Sequence, residues 1–219
     1  MYLPAQFAES NVSVLHQLIL RHPLGAWVAL ADGELNVNHL PFLLDPSPSP
    51  WGTLTGHVAR ANPIWRSFST SQASVIVFQG PQVYVTPSWY PSKAEHGKVV
   101  PTWNYAVVHA YGVPRAIENR DWLLDHVTRQ TNLREAGAAA PWQVADAPTD
   151  FVEGLLRAII GIEIPIARLV GKWKVSQNRT RADRLGAAAG LLEKGASESV
   201  EMADLIRARV DPRDPATTR

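Results

Sequence analysis

The chain has 219 residues, 46% hydrophobic and 19% charged, with a net charge of +1, so it can bury a core and is neither disordered nor a polycation. It has no cysteine, which excludes disulfides, thiolate nucleophiles, Cys-ligated zinc and iron–sulfur clusters and fits a reducing compartment. The start, MYLPAQFAES, lacks a signal-peptide pattern, and no stretch reaches the ~20 apolar residues that span a bilayer. The expectation is a soluble cytoplasmic protein without membrane contact.

Residues 10–21 read as a helix with Ser10 as N-cap, because Val12, Leu15, Leu18 and Ile19 recur at helical spacing. His22-Pro23 stops it. LGAWVAL (24–30), ELNVNHLPFLL (34–44) and WGTLTGHVAR (51–60) are strand-like, with Asp32-Gly33 as a hairpin signal. ASVIVFQG (73–80), QVYVTPSWY (82–90) and WNYAVVHAYGVPRAI (103–117) follow as further strands. Strands at this short spacing behind one helix are the profile of an antiparallel barrel.

The second half is mainly helical. Asn119 caps a helix to about Ala136, and Pro148-Thr149 opens one to about Ile160. Residues 160–176 look extended. A helix over 178–194 closes at Gly195 in the C′ position, and Ser197 caps a last helix with Glu198 and Glu201 in its first turn. The tail DPRDPATTR is expected to be disordered. The fold class is therefore α+β, with flanking helices and a helical C-terminal region.

Three polar junctions carry the candidate chemistry. In TGHVARANPIW (55–65), Asn62-Pro63 is a helix start whose free N–H groups and dipole attract anions. Arg60 offers a planar fork for phosphate oxygens, and Gly56 allows close backbone approach. Those residues fit a phosphate monoester, or equally a capped turn with a solvated arginine. The long loop over 86–109 sets Trp89, Tyr90 and Trp103 among Ser88, Lys93, Thr102 and Asn104. Such a set suits a planar ring with a hydrogen-bonding edge, while the alternative is core or dimer packing. Between Lys172 and Arg184, the cations Lys172, Lys174, Arg179, Arg181 and Arg184 face one acid, Asp183. That run is either a solvated helix face or a patch for phosphate, from a ligand or from DNA. His39 is either a core histidine or a ligand contact; His109 reads as structural. No metalloprotease, nucleophile-elbow, Walker or dinucleotide motif is present, and no metal site is expected.

MYLPAQF, NHLPFLL (38–44), GHVARANPIW (56–65), YVTPSWYPSK (84–93), VPTWNYAVVHAYG (100–112) and KWKVSQNRTRADRLG (172–186) occur in the order of one family. Over residues 1 to about 195 the chain resembles the PaiB-like FMN-binding negative transcriptional regulators. The resemblance implies an antiparallel split β-barrel of the FMN-binding type, similar to pyridoxamine phosphate oxidase-like proteins, with FMN in a groove of a homodimer. It implies a 1–195 FMN-binding domain with helical additions, then 196–219 as a C-terminal helix and tail. On it, Arg60 and Asn62 would hold the FMN phosphate beside Gly56 and His57, with Lys93 as a second cation. Trp89, Tyr90 and Trp103 would wall the ring or the partner subunit. Thr102, Asn104, Ser176 and Gln177 would bond its polar edge or ribityl chain, and His39 and Ser88 complete the expected cofactor set. The basic segment, Lys172, Lys174, Arg179, Arg181 and Arg184, would meet DNA or a partner. The alternatives are an FMN-dependent oxidoreductase of unknown substrate, with His39, His57 or Tyr90 handling protons, and a flavin-free interaction module.

Overall fold

A computed structural model describes residues 1–47 and 49–210. The chain opens with a 3₁₀ turn, a two-residue strand β1 (Ala8–Glu9) and helix α1 (Val12–Arg21). Leu15, Leu18 and Ile19 of α1 are buried, as its periodicity demands. Its cap is Asn11, whose Oδ1 accepts from Ser13 N at 3.0 Å, and not the expected Ser10.

β2 (Leu24–Ala31) and β3 (Glu34–Pro41) form a continuous antiparallel ladder. Asp32 (φ 51°) and Gly33 (φ 82°) turn it; two successive positive φ values give the twist that a two-residue hairpin needs. β4 (Leu43–Asp45) leads to β5 (Thr53–Ala59), a single helical turn α2 (Ile64–Ser67) and β6 (Ser74–Val85). β6 is one strand where two were expected, because Gly80-Pro81 does not interrupt it.

The 86–101 connection holds a 3₁₀ turn and α3 (Ser92–His96) before β7 (Thr102–Gly112) and β8 (Arg115–Ile117). Next come α4 (Arg120–Glu135), α5 (Thr149–Arg157), β9 (Ile159–Pro165), β10 (Arg168–Lys174), α6 (Arg181–Lys194) and α7 (Ser197–Arg207). Asn119 caps α4 through Trp122 N, as its sequence indicates, and Gly195 (φ 65°) closes α6. Thr180, three residues before Asp183, is the real cap of α6, and Ala196 rather than Ser197 precedes α7. The expected disordered tail, 211–219, lies outside the described residues.

Two compact units share this chain. One contains residues 16–78 and 109–169. In it β3, β2 and the first part of β6 lie side by side, and a second antiparallel sheet runs β4-β5-β9-β8. Trp27, Phe42, Leu54, Ile76, Phe78, Ile160 and Ile162 fill its core. The other contains residues 1–15, 79–108 and 170 onward. There β1 pairs with β10, and β10 lies beside β7, which lies beside the rest of β6. Its helices α6 and α7 bury Ala187, Ala188, Leu191, Met202, Ala203 and Ile206. Among the described residues no helix is long and apolar enough to cross a membrane.

Candidate functional site

The expected cofactor residues fall in both units. His39, Gly56, His57, Arg60 and Asn62 belong to the first; Ser88, Trp89, Tyr90, Lys93, Thr102, Trp103, Asn104, Ser176 and Gln177 belong to the second.

In the first unit the end of β5 is tied into its neighbours. Arg60 Nη1 donates to Glu118 at 2.7 Å and Arg60 Nε donates to the Arg157 carbonyl at 2.8 Å. The guanidinium also lies 5.9 Å from the Trp65 ring centroid. Its planar fork is thus spent on the protein. Asn62 caps the turn through Ile64 N at 3.0 Å and donates to Asn38 at 2.7 Å. The helix it opens has four residues, too few to build a macrodipole. Gly56 faces Phe42, which a Cβ would meet at 3.3 Å, so its small size serves packing. His39 is exposed on β3, opposite Ala26.

His57 makes the contact that sequence reading missed. Its Nδ1 lies 3.2 Å from Nε2 of His126, and His126 is stacked on Trp122 at 5.2 Å and 11°. Trp122 rests on Gly161, where a Cβ would stand 2.3 Å from the indole. Burial pushes both imidazoles below their ordinary value, that of His126 to about 4, with the charges of His57 and Arg129 adding to it. Trp122 and His126 are four apart on α4 and share its face; that spacing was the available signal.

In the second unit several expected residues meet. Lys93 Nζ donates to Ser88 Oγ at 3.3 Å, and both are exposed. Asn104 is fully buried and donates to Ser176 Oγ at 2.8 Å. Ser176 has φ 67°, a conformation rarely given to a residue with a side chain. Tyr90 is buried with the Arg179 guanidinium 5.1 Å from its ring centroid. Desolvation raises its pKa, against the opposing influence of Arg179 and Ser176. Asn104 Oδ1 and Arg181 Nε are buried with no hydrogen-bond partner, and Tyr90 Oη completes no well-aligned hydrogen bond although the Ser176 hydroxyl and the Arg179 guanidinium lie against it. Buried polar atoms left bare cost about 1–3 kcal/mol each, so a group that satisfies them is favoured there.

The remaining expected contacts are engaged elsewhere. Trp89 packs on α6, where a Cβ on Gly190 would meet its indole at 2.4 Å and one on Gly186 would meet its carbonyl at 2.1 Å. Trp103 is 55% exposed and edge-on to Tyr84. Thr102 accepts from Lys174 Nζ, which also reaches the Trp103 carbonyl at 2.6 Å. Gln177 bridges Val175 N and the Trp173 carbonyl, shaping the loop after β10. Of the basic run, Lys172 is buried and bonded to the Tyr2 carbonyl, and Arg184 is buried and bonded to the Arg209 carbonyl. Asp183 is buried too, accepting from Ser92 N and Oγ at 3.1 and 2.7 Å. The run is therefore partly an internal network rather than a solvated stripe.

A protein family described as "Putative FMN-binding domain" matches residues 1–168. An uncharacterized protein of Emericella nidulans is 35% identical over 98% of this chain and 99% of its own length. The Bacillus subtilis protein named protease synthase and sporulation protein PAI 2 is 29% identical over 94% of this chain and 96% of its own. A flavocytochrome of Azotobacter vinelandii superposes with a TM-score of 0.57 at 12% identity, covering 76% of this chain and 69% of that one. The FAD- and heme-binding protein of Mycobacterium smegmatis gives 0.55 at 14% identity, covering 76% and 73%. These two likenesses are ones of fold.

Proposed function

The chain belongs to the PaiB-like family of FMN-binding-domain proteins, and from that premise we propose that it is an FMN-binding split-barrel protein that works as a homodimer and a negative transcriptional regulator. The observation that carries the cofactor is the set of bare polar atoms around Ser176. Asn104 Oδ1 lacks a partner and Tyr90 Oη makes no well-aligned bond, and Lys93 with Ser88 offers an exposed cation and hydroxyl in the same unit. On this reading Lys93 and Ser88, which are exposed, would meet the phosphate, and the buried Tyr90, Asn104 and Ser176 would meet a polar edge. Tyr90, held protonated by burial, is a donor. Arg60, bound to Glu118, is assigned to the scaffold instead. Bound FMN would supply one- and two-electron redox chemistry.

Support for the dimer is the edge strand β3, where Leu35 and Val37 are 77% and 54% exposed. An unpaired edge with apolar side chains favours being covered. The regulator role rests on family resemblance, and its DNA contact would fall to Arg179 and Arg181, since Lys172 and Arg184 are buried and Lys174 is bonded to Thr102 and the Trp103 carbonyl. That burial is also what favours the second reading, a flavin oxidoreductase without DNA contact.

The test is thermal melting of flavin-free protein with added FMN. Ligand at a hundredfold excess over Kd stabilises by about 2.7 kcal/mol, a rise of several degrees. Lys93→Ala should weaken FMN about tenfold while leaving the unliganded melting temperature unchanged. No rise in the parent protein would end the flavin reading. Flavin binding with DNA affinity independent of salt would end the regulator reading, because phosphate contacts release counterions.

A further inference from the structure

The helices after β8 build a cavity with no part in that reading. It measures about 280 Å³ and lies between α4, α5 and the turn that precedes α5. Val127, Val152, Leu156 and Ile159 line its interior, and Trp142 and Phe151, 47% and 58% exposed, stand among its walls. Besides the Trp142 indole, polar side-chain atoms come from Thr131 and from His57.

His57 gives the cavity a defined hydrogen-bonding character. Its Nδ1 is taken up by His126 Nε2 at 3.2 Å, and its Nε2 has no partner among the described residues. His126 Nδ1 is buried and bare. One proton lies between the two rings, so two arrangements are available. If His57 donated, His126 would need its own proton on Nδ1 and would strand a buried N–H. If His126 donates, the stranded atom is a lone pair. Orphaned buried N–H groups are rare, which favours His126 as the donor. His57 then carries its proton on Nε2, on the ring edge away from His126. Trp122, stacked on His126 and backed by Gly161, fixes this pair.

We propose that this cavity binds a compact, largely apolar small molecule, of the size of a two-ring aromatic, that carries one hydrogen-bond acceptor such as a carbonyl, received by His57 Nε2–H. A protein segment filling the same space with apolar side chains would leave that donor unmet. The inference does not depend on flavin binding.

The test compares two probes of nearly equal shape, 2-acetylnaphthalene and 2-ethylnaphthalene, titrated into the intact protein and followed by tryptophan fluorescence and NMR. The ketone should bind roughly tenfold more tightly than the hydrocarbon, the worth of one good hydrogen bond. It should shift the His57 ring signals. His57→Leu should abolish the preference while leaving the hydrocarbon bound. Phe151→Asp, on an exposed side chain, should weaken both probes without unfolding the protein. Equal affinity for the two probes, no binding of either, or a Phe151→Asp variant that changes only the oligomeric state would overturn the proposal; the last would assign the cavity to a second copy of the chain.

Discussion

His57 and His126 meet edge to face, 3.2 Å apart between Nδ1 and Nε2, in a place where neither can hold a proton charge cheaply. The His126 pKa falls to about 4 from 6.5 through burial first, then through repulsion by His57 and Arg129. The unfolded chain therefore binds more protons than the native one between those values. Stability is complete above about pH 6.5 and is lost as the pH falls toward 4. At about pH 5 the loss should be roughly 2 kcal/mol. Urea midpoints at neutral and mildly acidic pH would read it, and His126→Phe should flatten the slope. An unchanged slope in that variant would place the titrating group elsewhere.

Arg60 has the chemistry of a phosphate anchor, and in the structure it is tied to the protein. Its bonds to Glu118 and to the Arg157 carbonyl join the end of β5 to the residue after β8 and to the last residue of α5. Arg60→Ala should cost roughly 1 kcal/mol of stability and leave FMN affinity within about twofold. A tenfold loss of FMN affinity at unchanged stability would restore Arg60 to the cofactor.

Gly190→Ala sets two effects against each other. Alanine improves helix α6 by about 1 kcal/mol. Its Cβ, however, would stand 2.4 Å from the Trp89 indole, and overpacking costs about 1–3 kcal/mol. The single variant should be less stable than the parent. In a Trp89→Ala background the same substitution should stabilise, and a double-mutant cycle measures the difference. Additive effects would show that Trp89 does not press on α6.

The strands and helices were legible because their signals are local. Asp32-Gly33 specifies a turn by itself, and so does Gly195. Asn119 reaches its partner, Trp122 N, at a separation of three residues. The errors lay where two local signals competed, as at Ser10 and Asn11, or where a proline failed to break a strand, as at Pro81. The site was less legible, because its meaning depends on distant partners. Nothing near Arg60 announces Glu118, and nothing near Lys172 announces the Tyr2 carbonyl. One distant contact did leave a trace: Gly186 and Gly190 are a small-residue pair one turn apart, the mark of a close neighbour, which proved to be Trp89.

The pairing of β5 with β9 has a consequence for synthesis. Its partners, such as His57 and Gly161, are separated by roughly 100 residues of chain. The β2–β3 hairpin closes through its own turn in about 1–10 μs. By contrast, at about 5–20 residues per second, β5 leaves the ribosome some seconds before β9 exists. During that interval the nascent chain presents one bare edge of β5, a template on which another chain could pair.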